Sequence, residues 1–208
     1  MELALLSLTS VKTQLLITSS WWSFEGYEDN QLPDGQIADN AISTLKELKQ
    51  TMSQGNNIPF FLAVGFHKPH LPFLLLRSTM YPSTENVELP KSPEVPKGFP
   101  PISSELGEIT SYEDISPFFD MDKCTTDVQA SFYGEECRIP DDYACKLRRA
   151  YYACVSYVDA QVGRVIGELE ALGFADDTVI VLWGDHGWQL GEHNHWSKLT
   201  NFEVAFPS

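Results

Sequence analysis

Two uninterrupted apolar runs constrain this chain more than any other feature. One is Pro59-Phe60-Phe61-Leu62-Ala63-Val64-Gly65-Phe66 and the other is Thr178-Val179-Ile180-Val181-Leu182-Trp183. A strand with one wet face alternates apolar and polar residues. Runs without alternation fit strands buried on both faces, as in a parallel sheet. A helical pattern precedes each run. Ile37, Ala41, Ile42, Leu45, Leu48 and Met52 recur at helical spacing, which predicts a helix over about 36–53, stopped by Gly55. Leu147, Tyr151, Cys154, Val155, Val158, Val162, Val165, Ile166, Leu169 and Leu172 make a second apolar stripe across 141–172, with Gly173 at the C-cap. Strand, crossover, helix and strand is the grammar of an α/β fold with a mostly parallel sheet and flanking helices. Lys146, Arg148 and Arg149 are expected on the wet face of the long helix.

The remaining stretches are less regular. Residues 1–20 show no clear period. Nine of the 13 prolines fall within 69–118, too many for regular structure. A loop of that length is usually functional or disordered. The N-terminus has an acidic start, and Lys12 interrupts its apolar run, unlike a secretory signal. No apolar stretch reaches the ~20 residues of a membrane span. The net charge of −15 disfavours nucleic acid and anionic membrane surfaces as partners, because those need a basic face. It leaves room for a small anionic substrate held by a few local cations. The sequence does not fix the oligomeric state.

Cys124, Cys137, Cys145 and Cys154 form no Cys-x-x-Cys pair, so a structural zinc site is not expected. Cys145 and Cys154 sit on one predicted helix, separated by ~13 Å of rise, too far to bridge. Cys124 and Cys137 could close a small disulfide loop.

All five histidines follow the two apolar runs: His67 and His70 after the first, His186, His193 and His195 after the second. In open α/β sheets, ligands bind beyond the carboxyl ends of strands, so both segments are candidates for one site. Asp185 and His186 are adjacent on a turn flanked by Gly184 and Gly187. Their side chains are an oxygen and a nitrogen ligand for one cation. Lys68, His70 and Lys198 would bring positive charge to an anionic group on that cation. Trp188, in the glycine turn, and His193 are further candidates for contacting substrate.

These residues resemble the sulfatase family, and within it the iduronate-2-sulfatase-like branch. The resemblance is carried by the 59–73 text around Gly65-Phe66-His67-Lys68-Pro69-His70-Leu71-Pro72 and by Ala150-Tyr151-Tyr152-Ala153-Cys154-Val155-Ser156-Tyr157-Val158-Asp159. It is also carried by Asp185-His186-Gly187-Trp188-Gln189-Leu190-Gly191-Glu192-His193 with Trp196-Ser197-Lys198. The resemblance implies an alkaline-phosphatase-like fold and hydrolysis of sulfate esters of sugars such as glycosaminoglycans, in a lysosomal or secreted setting. It implies one calcium ion, with Asp185 and His186 among its ligands, and a formylglycine nucleophile made from cysteine. His70 and Lys198 would contact sulfate oxygens, and Lys68, Trp188 and His193 would line the substrate.

The chain also departs from the family. The nucleophile text is Cys-x-Pro-Ser-Arg, but the cysteines here read Cys124-Thr125-Thr126-Asp127, Cys137-Arg138-Ile139-Pro140, Cys145-Lys146-Leu147-Arg148 and Cys154-Val155-Ser156-Tyr157. The paired aspartates that complete the calcium set and the upstream Lys-x-His are also missing. The expectation is residues 1–20 without resemblance, followed by 21–208 as part of a sulfatase catalytic domain, inactive by itself. The alternatives are a non-catalytic calcium- or sulfated-glycan-binding remnant, or a related phosphatase or phosphodiesterase of the same superfold.

Overall fold

A computed structural model describes residues 4–8, 22–23, 28–55, 58–74, 83–94, 96, 109, 112–118 and 138–198. The chain divides into two compact units. The first takes 1–16, 24–80 and 153–181, and the second takes 17–23, 81–152 and 182–208.

The first unit holds a β-α-β arrangement. Strand β1 (Ala4–Leu8) pairs in parallel with β2 (Phe60–Val64), in register from Ala4↔Phe60 to Leu8↔Val64. Helix α1 (Pro33–Ser53) lies between them in sequence. Proline at the first helical position is pre-set for helix and has no N–H to lose. Gly35 follows because a Cβ there would fall 1.8 Å from the Asp29 carbonyl oxygen, so no larger residue fits. Helix α2 (Asp141–Ala171) runs 31 residues, and its part from Ala153 onward belongs to this unit.

The apolar periods read from the sequence become the core. Leu45, Leu169 and Phe174 are buried together, with Leu48, Met52, Phe60, Leu62, Val165 and Leu172 packed around them. The Phe60 and Phe174 rings meet edge to face with centroids 5.3 Å apart, a favoured aromatic geometry. Lys49 covers Phe174 with its ammonium 5.1 Å from the ring centre. Outside this core, polar links join α1 and α2: Lys46 pairs with Glu168, and Arg164 with Asp39. Gln161, fully buried, donates to Asp29 at 3.1 Å.

The second unit contains the first part of α2, through Tyr152, and a short antiparallel pair. Strand β3 (Gln189–Leu190) pairs with β4 (Trp196–Ser197). Val87, Ile109, Ile115, Ile139, Ala144, Leu147, Ala150, Leu190 and Trp196 are its buried apolar residues.

Three expectations change. The run 178–183 is not a buried strand. It pairs with none of the strands among the described residues, and Val179 is 89% and Trp183 85% exposed. A short apolar run becomes a strand only where neighbours supply hydrogen bonds and cover its faces. Second, 59–66 does form a strand, but Phe61 is 53% exposed, so one face is less covered than the apolar text implies. Third, 1–20, read as aperiodic, contributes β1 through the five residues Ala4–Leu8. Cys145 and Cys154 are free thiols. Cys124 and Cys137 lie outside the described residues. No helix among the described residues is long and apolar enough to cross a membrane.

Leu45 is fully buried at the α1–α2 contact. Leu45→Ala should therefore cost about 2–5 kcal/mol of unfolding free energy, read by urea denaturation.

Burial pushes the Cys154 thiol from its ordinary 9.0 to about 12, against the opposing pull of nearby Lys68. Because the folded value is raised, the associated stability is intact below pH 9 and is lost as pH rises towards 12. Tyr157, also raised by burial, adds to this loss at higher pH. Lys68, lowered by burial against the pull of Cys154 and Asp34, has the opposite slope below 10.5. Urea denaturation between pH 8 and 11 should therefore show a smaller alkaline loss in Cys154→Ala than in the unaltered chain.

Candidate active site

The first histidine loop leaves the end of β2 and is built by one buried carboxylate. Asp34, in the first turn of α1, is 1% exposed. Its Oδ1 accepts the His67 backbone N–H at 2.7 Å and its Oδ2 accepts that of Lys68 at 2.9 Å. Both carboxylate oxygens are thereby satisfied, which offsets the cost of burying the charge. The loop then turns, with the His70 N–H donating to the His67 carbonyl at 3.1 Å, and both Lys68-Pro69 and Leu71-Pro72 are cis. Lys68 Nζ donates to the carbonyls of His70, at 3.1 Å, and Pro72, at 2.6 Å. His70 Nδ1 lies 2.9 Å from the Leu71 carbonyl. A carbonyl can only accept, so in the neutral ring the proton sits on Nδ1 and the lone pair on Nε2.

The second histidine segment belongs to the other unit. Asp185 carries an 86% exposed side chain and His186 a 38% exposed one. His186 Nδ1 donates to the Gly187 carbonyl at 2.8 Å, which leaves Nε2 as the lone-pair nitrogen, 3.8 Å from Asp185 Oδ2. Two donor atoms at that separation suit adjacent positions around one cation. Calcium takes about six to eight oxygens, and no group of three or more acid, histidine or cysteine ligands occurs among the described residues. This pair therefore fits as part of a calcium set and not as the whole of it. The cysteine text that formylglycine requires does not occur in these 208 residues.

Trp188 stacks on Tyr151 with centroids 6.3 Å apart, and the Lys198 ammonium lies 5.8 Å from the Trp188 ring centre. His193 is half-buried. Its backbone N–H donates to the Ser92 carbonyl at 2.6 Å, and its Nδ1 lies 3.4 Å from the Glu94 carbonyl. The hairpin is tightly wound: His193, Asn194 and Ser197 have φ of 54°, 60° and 77°, left-handed values that non-glycine residues adopt at a cost. Gly191 has φ 99°, and a Cβ there would sit 3.0 Å from Trp196 Cζ2.

Arg148 holds this conformation. It is 9% exposed, not on the wet helix face where the sequence suggests it. Its Nη1 donates to the Leu190 carbonyl at 2.8 Å and to Glu192 Oε1 at 3.1 Å, and its Nη2 donates to Tyr152 at 2.9 Å. Glu192 Oε2 accepts the Leu190 N–H at 2.7 Å. The Arg148–Glu192 pair thus saturates both backbone groups of Leu190. Asp34, Arg148 and Glu192 are the residues that sequence reasoning missed. A Pro-Asp-Gly helix start was the available signal for Asp34. Nothing in the linear text pairs Arg148 with a residue 44 positions away.

Glu192→Gln keeps the shape and removes the charge. It should lower the exchange protection of the Leu190 amide by roughly tenfold, equivalent to ~1.4 kcal/mol, with β2 amides unchanged in the same NMR experiment.

The sulfatase family model matches residues 14–207. Iduronate 2-sulfatase of Homo sapiens is 42% identical over 85% of this chain, and that of Mus musculus 40% over 85%. The chain spans about 30% of the length of these relatives. Among solved structures, a phosphonate monoester hydrolase from Silicibacter pomeroyi aligns with a TM-score of 0.60 at 21% identity, covering 86% of this chain and 32% of that one. This likeness supports the same alkaline-phosphatase-like fold. The match over nearly the whole length, together with the histidine segments and the α/β core, places this chain in the sulfatase family.

Proposed function

We propose that this chain is part of a sulfuric ester hydrolase of the iduronate-2-sulfatase type, removing sulfate from sulfated sugars such as glycosaminoglycans. The observation that carries this is the 42% identity to a named iduronate 2-sulfatase across 85% of the chain, alongside a family match over 14–207 that takes in both histidine segments. A lysosomal or secreted location goes with that reading.

A sulfate monoester carries one negative charge, spread over its oxygens. As the S–O bond breaks, charge builds on the leaving oxygen. Preorganised cations and hydrogen-bond donors lower the barrier most when they face the charge that develops. In this proposal Lys198 holds a sulfate oxygen by its ammonium. His70 presents Nε2 to the ester side, where in the protonated ring it donates to the leaving oxygen. Asp185 and His186 contribute two ligands to calcium, which would neutralise sulfate charge when bound. Trp188 and His193 lie on the sugar side. The 208 residues hold no Cys-x-Pro-Ser-Arg text, so no nucleophilic step is assigned to them.

Two measurements test this. The purified chain should show no turnover of an aryl sulfate or a sulfated disaccharide. In NMR titration the sulfated disaccharide should shift His70 and Lys198 side-chain resonances, and its desulfated counterpart should not. Lys198→Ala should weaken that binding at least several-fold. Equal shifts with both sugars, or turnover by the chain itself that is lost in Lys198→Ala, would contradict the proposal.

A further inference from the structure

We infer that Lys68 is a positioning residue for His70, clamping the loop carbonyls so that the His70 ring stays fixed with Nδ1 as the nitrogen that donates to the Leu71 carbonyl. The inference rests on the role proposed above for His70, and it gives Lys68 a different task from the substrate contact that sequence alone suggests.

An ammonium has three N–H donors and no acceptor. Lys68 spends two of them on the carbonyls of His70 and Pro72. Those carbonyls flank Leu71, whose own carbonyl receives His70 Nδ1–H. The Pro72 ring fixes its own φ, so holding the carbonyls of His70 and Pro72 leaves the Leu71 carbonyl between them little freedom to rotate. The ring is thus oriented by an acceptor that Lys68 holds in place. The segment cannot slide to relieve this. Asp34 anchors its start through the N–H groups of His67 and Lys68, and the buried Leu71 and Phe73 side chains anchor its end. Orientation of an imidazole by a hydrogen bond at its second nitrogen is the general way a protein selects which nitrogen does the chemistry.

The direct test is ¹⁵N NMR of the His70 ring in the 208-residue chain, at a pH where the ring is neutral. The expected spectrum has the protonated-nitrogen shift on Nδ1 and the lone-pair shift on Nε2. In Lys68→Met the two shifts should move towards the average of mixed tautomers, while amide dispersion and far-UV circular dichroism stay native. Lys68→Arg, which still donates to two carbonyls, should restore the pattern. If Lys68→Met does not fold, Lys68→Leu serves, which likewise has no donor. A His70 ring protonated on Nε2 in the unaltered chain would overturn the inference, as would an unchanged pattern in folded Lys68→Met or Lys68→Leu. None of these readouts uses a sugar. Failure of the sulfated disaccharide to bind would therefore remove the sulfate role of His70 and leave the Lys68 result standing.

Discussion

The carboxylate of Asp34 is the contact on which the first unit's functional end depends. It sits in the first turn of α1, is nearly solvent-free, and accepts two consecutive backbone N–H groups at the exit from β2. A chain leaving a strand has amide donors that must find acceptors or water. Here a charged acceptor from the neighbouring helix takes both. The helix start, the strand end and the loop carrying His70 are thereby tied at one point. Lys68 closes the loop from inside. Burial pulls its ammonium below the usual lysine range, and the negative charge of Asp34 pulls the other way.

The second unit solves the same problem by different means. Its hairpin carries three non-glycine residues at left-handed φ, which the backbone would not adopt unaided. Arg148 and Glu192 hold it by saturating Leu190, and Trp196 packs where only glycine fits at 191. In both units a buried or half-buried charge fixes the backbone beside the residues proposed to meet the anion.

Much of this was legible in the sequence. The apolar periods give α1 and α2 within a few residues of their observed limits, and Leu45, Phe60 and Leu169 reach the core those periods imply. The clustering of histidines after apolar runs marks out the two segments in which the proposed site residues lie. What escaped was long-range. The strand at Ala4–Leu8 exists through its pairing with β2 rather than through any period of its own. The run 178–183 has strand-like text but no partner among the described residues. Arg148 reads as a surface residue because three basic residues cluster within four positions, yet a guanidinium long enough to reach Leu190 and Glu192 finds better partners inward. Pairing and inward capture depend on contacts that linear spacing does not encode.

The central claim is that Asp34 pins the start of the histidine loop. Native-state hydrogen exchange of the His67 and Lys68 amides tests it most directly, comparing the unaltered chain with Asp34→Asn. An asparagine retains one acceptor and turns an amide NH₂ towards the other N–H. Both amides should be strongly protected in the unaltered chain, and at least one should lose tenfold or more in Asp34→Asn while α2 amides hold theirs. Exchange of both amides at open-loop rates in the unaltered chain would contradict the account.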